Sequence, residues 1–163
     1  MAEQRLNQKT ATDNLGFSLI ELLTFILLIS LILIAAAGLI ITSIKNTKNT
    51  QYRALAEYYA KSLENWLTNE RYKSWSDFQA KTGSNNGSSS SRNYCFNTET
   101  VSNWPAVGSC NNNYSLSGRY KRDLVLSYDS ATKKITANIT VTWKGISGND
   151  TVNIKRDYSR FEY

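Results

Sequence analysis

The residue best placed to do chemistry in this 163-residue chain is Glu21, a carboxylate inside a run of apolar side chains. The run extends from Phe17 to Ile44, and Glu21 is the only charged residue among its 28 members. At a rise of about 1.5 Å per residue, a helix of this length exceeds the roughly 20 residues that cross a bilayer. An ionisable side chain inside a membrane span is energetically expensive and is usually functional. The pattern therefore predicts a membrane segment in which Glu21 has a role.

Few other residues offer catalytic chemistry. The chain has no histidine, which excludes imidazole-based triads and histidine-ligated metal sites. Its sequence also contains neither a phosphate-binding glycine loop nor a cluster of metal ligands. We therefore expect no enzyme activity and no cofactor.

Cys95 and Cys110 are the only two cysteines, and they lie in a stretch rich in Ser, Asn and Gly with 14 residues between them. This spacing predicts a disulfide that closes a surface loop in an oxidising compartment. In the chain-entropy model a loop of that size adds about 3 kcal/mol to the free energy of unfolding. A pair of free thiols is the alternative.

Basic residues alternate with aromatic ones in two late segments, and the formal net charge of the chain is +6. Such a mixture is typical of surfaces that follow a nucleic-acid backbone. The candidate DNA contacts are Arg119, Lys121, Arg122, Lys155, Arg156 and Arg160. The alternative, which we favour, is that these residues form the solvent-facing sides of two strands whose tyrosines pack inward.

These residues must be positioned by a long helix. Residues 1–16 are polar and resemble a leader that is removed, whereas no proline interrupts residues 17–69. We predict one helix there, apolar on all sides over 17–44 and amphipathic over 45–69. The predicted apolar stripe of the second half consists of Tyr52, Leu55, Ala56, Tyr59, Leu63, Trp66 and Leu67. A short helix begins at Ser74, which has the capping pattern with Asp77, and ends by Gly83.

A small antiparallel sheet should follow, so the fold class is α+β with a globular domain over residues 45–163. Residues 83–113, with four serines at 88–91, read as an irregular loop. Three strands are predicted within residues 119–161, with turns at 129–133 and 145–150. Their apolar positions are Leu124, Leu126 and Tyr128, then Ile135, Ala137, Ile139, Val141 and Trp143, then Val152, Ile154 and Tyr158. Because a sheet of three or more strands with one apolar face is marginal alone, we expect it to pack on the helix stripe.

The segment Gly16-Phe17-Ser18-Leu19-Ile20-Glu21 resembles the processing site of type IV prepilins and of the pseudopilins of type II secretion. The resemblance implies a type IV pilin fold, cleavage between Gly16 and Phe17 by a membrane-embedded prepilin peptidase, and methylation of the new amino terminus at Phe17. It also implies that Glu21 pairs with the Phe17 ammonium of a neighbouring subunit in the filament core. The implied partners are the peptidase/methyltransferase, other pilin subunits, an inner-membrane assembly platform and the plasma membrane. After assembly, the chain would be part of an extracellular or cell-surface pilus.

Other interpretations of the amino-terminal half remain open. The small residues at 35–38 resemble a signal peptidase site, and a plain single-span membrane protein would tolerate Glu21 near the interface.

Among type IV pilins, the PilV-like minor pilins are similar to this chain at Val141-Thr142-Trp143 and the turn after it. The basic segments leave open a DNA-binding minor pilin of a DNA-uptake pilus.

Overall fold

The computed structural model describes residues 18–84, 87–146 and 148–160. Within these ranges the chain forms two α-helices followed by four β-strands, which makes it an α+β protein. The elements are α1 (Leu19–Lys73), α2 (Trp75–Ala80), β1 (Ser90–Cys95), β2 (Tyr120–Asp129), β3 (Lys134–Lys144) and β4 (Asn149–Ser159). The chain divides into two compact units, one ending at Ser43 and the other beginning at Ile44.

In the first unit, α1 is an apolar helix whose side chains all face solvent. Every described residue from Ser18 to Ser43 is exposed, including Leu22 at 54% and Phe25 at 60%. By length and composition this part of α1 is able to cross a membrane. The predicted apolar helix is therefore confirmed in its length and composition. Such an exposed apolar surface is typical of helices that pack against lipid or against other helices.

In the second unit, α1 buries one stripe against the sheet. Its fully buried residues are Ala56, Tyr59, Ala60, Leu63 and Leu67, at the three- and four-residue steps expected of one helix face. Tyr52 and Trp66 are half-buried at the edges of this stripe. Leu55 was predicted to belong to the stripe, but it is 38% exposed because it lies one residue before the buried position Ala56.

The junction between the two helices is set by Ser74. Its hydroxyl accepts a hydrogen bond from the Asp77 backbone N–H at 3.3 Å, so the predicted N-cap of α2 is confirmed. α1 extends to Lys73, four residues beyond the predicted end, and in its last turn Lys73 Nζ lies 2.7 Å from Glu70 Oε1. A cation at that position also interacts favourably with the carbonyl end of the helix.

In the part of the chain that the structure describes, the sheet has four strands in the order β1-β2-β3-β4, and each neighbouring pair is antiparallel. β3 confirms the predicted alternation, since Ile135, Ala137, Ile139, Val141 and Trp143 are all buried. On the same face the register places Leu124 opposite Ile139, and Ile139 opposite Ile154. This apolar face packs on the α1 stripe to form the core of the unit.

β1 was not predicted from the sequence, because residues 83–113 were assigned to an irregular loop. The strand takes in Ser90 and Ser91 of the serine run and pairs with β2 over six residues. Tyr94 is its only fully buried residue, so the strand shows no apolar alternation for a sequence pattern to detect. Backbone hydrogen bonding to β2, and not burial of side chains, therefore accounts for β1.

The connection from β1 to β2 is held on the helices by aromatic packing. The Trp104 ring centroid lies 5.1 Å from those of Trp66 and Tyr94, and 6.2 Å from that of Phe78. The Trp104 indole N–H also donates to Glu70 Oε2 at 3.1 Å. Residues distant in sequence thus fix a segment that has no regular structure of its own.

Truncating the α1 stripe tests this packing. We expect Leu63→Ala to lower the free energy of unfolding of the globular unit by about 2–5 kcal/mol, because it removes buried methyl groups and leaves a cavity. Leu55→Ala, the same change at an exposed position of the same helix, should cost less than about 1 kcal/mol. Guanidinium unfolding of the full chain in detergent, followed by tryptophan fluorescence, measures both. Equal losses in the two variants would contradict the assignment of the stripe.

Candidate functional site

Glu21 lies in the first turn of α1. The turn is closed by the Ser18 carbonyl, which accepts hydrogen bonds from the backbone N–H groups of Glu21 at 2.9 Å and Leu22 at 3.1 Å. A negative charge is electrostatically favourable at this end of a helix. The carboxylate is exposed on a surface of large apolar side chains.

Three hydroxyl groups in the apolar half of α1 donate hydrogen bonds within the helix. Thr24, Ser30 and Thr42 each donate to a backbone carbonyl three or four residues earlier, at 2.8 to 3.1 Å. Among the residues that the structure describes, no ion pair or side-chain hydrogen bond reaches the Glu21 carboxylate. The Glu21 carboxylate is therefore available to pair with a group from another chain. Gly16 and Phe17, the predicted cleavage and methylation sites, lie outside the described residues.

The cysteine pair forms the predicted disulfide. Cys95 and Cys110 are bonded, with their Cα atoms 4.8 Å apart. Cys95 ends β1, and the Cys110 backbone N–H donates to Asp123 Oδ1 of β2 at 2.6 Å. The disulfide therefore ties the segment between the two cysteines to one edge of the sheet. Such a cross-link is typical of proteins in an oxidising compartment.

Arg122, one of the six candidate DNA contacts, is buried with no exposed surface. Its guanidinium donates to three backbone carbonyls: Nε to Phe96 at 3.0 Å, Nη1 to Tyr59 at 2.7 Å and Nη2 to Thr98 at 2.8 Å. Removal from water lowers its pKa to about 10, although the nearby Tyr59 favours the charged form. The prediction that Arg122 lies on a solvent-facing surface is wrong, because Arg122 shares the inward parity of Leu124 and Leu126 on β2.

The other candidate cations do not share one face. Lys155 pairs with Asn138, whereas Arg156 pairs with Ala137, so these neighbours point to opposite sides of the sheet. Arg156 Nε lies 3.8 Å from Glu64 Oε1 of α1, and Arg160 is exposed beyond the end of β4. The prediction that Tyr120 and Tyr158 pack inward is confirmed, since both are 2% exposed.

Arg119 contacts Lys144, and Lys121 and Lys144 lie on the same aromatic ring. Arg119 Nη1 donates to the Lys144 carbonyl at 2.9 Å, and its guanidinium carbon lies 4.5 Å from the Tyr52 ring centroid. The ammonium groups of Lys121 and Lys144 lie 5.5 and 4.9 Å from the Tyr114 ring centroid. We call Arg119, Lys121 and Lys144 the basic cluster. Lys144 was missed because sequence reasoning considered runs of basic residues, although the alternation of β3 already put Lys144 on its polar face.

In comparisons with protein-family models, with curated proteins and with solved structures, this chain has no match. The functional inference therefore depends on the residues themselves and on their geometry.

Replacing Arg122 tests its structural role. We expect Arg122→Met to lower the free energy of unfolding by more than about 3 kcal/mol, because it leaves buried carbonyl groups without donors. Arg122→Lys should also be destabilising, since an ammonium cannot reproduce the planar set of donors. Arg160→Met, at an exposed position, is the matched control and should be neutral. Denaturant unfolding measures all three, and a neutral Arg122→Met variant would contradict the role.

Alkaline pH should destabilise the globular unit. Burial raises the pKa of Tyr94, Tyr120 and Tyr158 above the usual value of 10.0. The stabilisation from these neutral phenols is complete below pH 10 and is lost as the pH rises through their folded-state pKa values. Arg122, with its lowered pKa, acts in the opposite direction between about pH 10 and 12.5, but three phenols oppose one guanidinium.

The free energy of unfolding, measured by denaturant titration at several pH values, should therefore fall above pH 10. The fall should be smaller in Tyr158→Phe, which has no phenol to ionise at that position. A profile that stays flat up to pH 11 in the native sequence would contradict this expectation.

Proposed function

We propose that this chain is a structural subunit of a type IV pilus or of a type II secretion-like pseudopilus, cleaved after Gly16 and assembled through its amino-terminal helix. The proposal is supported by an apolar helix that is able to span a membrane, followed by a globular unit with an antiparallel sheet. It is also supported by the resemblance of residues 16–21 to a prepilin processing site. The protein would act by binding copies of itself or related subunits and would not be an enzyme.

The observation that carries the proposal is the unpartnered carboxylate of Glu21 in the first turn of an exposed apolar helix. Cleavage before Phe17 would create an ammonium group four residues upstream. In a stack of helices, the ammonium of one processed subunit would be able to reach the acid of the next. The acid thus has a partner of opposite charge that only processing produces.

The energetics favour an assembly in which the Glu21 carboxylate is paired over one in which it is not. An acid at the centre of a membrane helix costs about 2.5–3.5 kcal/mol on insertion scales, and less near the interface. A charge pair in a low-dielectric helix bundle offsets part of that cost, whereas removal of one partner leaves an uncompensated buried charge. The exposed apolar side chains of residues 18–43 would be buried by the same contact between helices.

Neutralising Glu21 tests the proposal. We expect Glu21→Gln and Glu21→Ala to be inserted and cleaved normally but to be at least about tenfold depleted in sheared filaments, because the assembly contact loses its charge pair. Glu57→Gln is the matched control, since Glu57 is an exposed acid of the same helix that pairs with Arg53 at 3.0 Å. Immunoblots of the membrane and filament fractions report insertion and incorporation.

Mass spectrometry of the mature amino terminus completes the test. The proposal requires a chain that begins with methylated Phe17. A mature chain that begins at Gly38 would indicate a signal peptide instead, and normal incorporation of both Glu21 variants would leave the charge-pair model without support.

A further inference from the structure

We propose that the basic cluster binds the anionic phospholipid headgroups of the membrane in which the chain is anchored. The inference depends on the membrane-anchoring part of the proposed function and not on filament assembly. It gives the globular unit a second contact with the bilayer, in addition to the apolar helix.

The basic cluster lies close to Tyr52, near the start of the globular unit. Tyr52, on which Arg119 lies, is eight residues after Ile44, the last residue of the apolar run. Eight residues of helix measure about 12 Å. The headgroup layer is about 5–7 Å thick on each side of the hydrocarbon core, and a lysine or arginine side chain extends several ångströms further. The basic cluster therefore contacts the part of α1 that follows the apolar run by about two turns.

The direction of the strands supports the same position. β2 begins at Tyr120 and β3 ends at Lys144, so the basic cluster lies at the end of the sheet that contacts the start of the unit. At the other end of the sheet, the Tyr158 hydroxyl donates to the Glu64 carbonyl, much further along α1. The turn between β2 and β3 is therefore remote from the residues that follow the apolar run.

The charge of this region also favours anionic lipid. Lys45 and Lys48 are exposed between the apolar run and Tyr52, and they add to the three cations of the cluster. In the described ranges none of these five cations has a carboxylate partner within ion-pair distance, whereas Arg53 is paired with Glu57. Cations that lack a carboxylate partner attract the phosphates of anionic lipid over about one Debye length, roughly 8 Å at physiological salt.

Aromatic rings support the cations of the basic cluster. Arg119 lies over the Tyr52 ring, and Lys121 and Lys144 lie close to the Tyr114 ring. Tyrosine is enriched where membrane meets water, because its ring suits the headgroup region while its hydroxyl stays hydrated. The rings also hold the cationic side chains, which reduces the entropy lost when they bind.

The distribution of the remaining cations favours lipid over nucleic acid as the occupant. A surface that follows a nucleic-acid backbone needs a continuous row of cations. Here Arg122 is buried and Arg156 faces Glu64, whereas Lys155 and Arg160 lie on β4 or beyond it. Lipid needs only a local cluster, and the membrane anchor keeps lipid at a high effective concentration.

The test uses the full chain in lipid nanodiscs, with its native disulfide oxidised and its insertion confirmed beforehand. Asn149→Cys, an exposed residue paired with Lys144 in the sheet, carries a fluorophore that nitroxide-labelled headgroups quench. Ala131→Cys, in the turn at the opposite end of the sheet, is the control label. Discs contain phosphatidylcholine alone or with about 30 mol % phosphatidylglycerol.

We expect the anionic lipid to raise quenching at residue 149 at least about threefold and to leave quenching at residue 131 unchanged. The increase should disappear at about 0.5 M salt and in a triple variant with Arg119→Gln, Lys121→Gln and Lys144→Gln. It should persist in the matched triple variant Lys133→Gln, Lys134→Gln and Arg160→Gln. The double variant Lys121→Gln, Lys144→Gln, which retains the Arg119 hydrogen bond, should lose most of it.

Three results would overturn the proposal. The first is equal quenching with and without anionic lipid, and the second is the same loss in both triple variants. The third combines two observations: quenching does not depend on lipid charge, and the triple variant of the basic cluster, but not its control, loses salt-sensitive binding of a DNA oligonucleotide. That result would assign the surface to nucleic acid. Because the assay contains no filament, its failure is distinguishable from a failure of the Glu21 variants to behave as proposed.

Discussion

The globular unit depends on how it buries the Arg122 guanidinium. Taking a cation out of water is expensive unless each of its donors finds an acceptor. Here the acceptors are carbonyl oxygens of Tyr59 on α1 and of Phe96 and Thr98 after β1, while Arg122 itself belongs to β2. One side chain therefore joins helix, sheet and connection. Displacing any of the three would leave at least one donor of a buried cation without its acceptor, so the three are held as a set.

That constraint explains how a segment rich in Ser, Asn and Thr becomes ordered. Residues 96–119 have no apolar pattern with which to build a core, yet they are attached to the unit at separate points. The Cys95–Cys110 disulfide and the Asp123 carboxylate hold one part, Arg122 holds the carbonyls of Phe96 and Thr98, and Trp104 is packed among aromatic rings. Each attachment comes from a residue distant in sequence, which is why the segment is ordered without regular structure.

Periodicity alone predicted the elements that bury a regular face. β3, the α1 stripe and the Ser74 cap follow from spacing, because alternating or helical burial leaves a pattern in the sequence. β1 could not be predicted, since backbone pairing with β2 accounts for it and only Tyr94 is fully buried. Arg122 was misplaced because its residue type outweighed its parity on β2. At the candidate site, the sequence alone showed that Glu21 is isolated among apolar residues. The basic cluster could not be predicted in that way, because it depends on the strand register that brings residues 119 and 144 together.

The apolar run is long enough for Glu21 to lie at the membrane interface before assembly, so its carboxylate needs a partner only after the helix leaves the membrane. Glu21 and Lys45, the charged residues at its two ends, are separated by about 36 Å of helix at the standard rise, slightly more than the roughly 30 Å hydrocarbon core. With Lys45 at one interface, the Glu21 carboxylate is able to remain at the other, where an acid is tolerated at little cost. Under the proposed function, extraction of the helix into a filament would remove that contact with water. An unpaired Glu21 carboxylate would then become costly, and at the same step the Phe17 ammonium of a neighbouring subunit becomes available to pair with it. Glu21 would therefore be tolerated in the membrane-inserted subunit but would favour assembly with correctly processed neighbours.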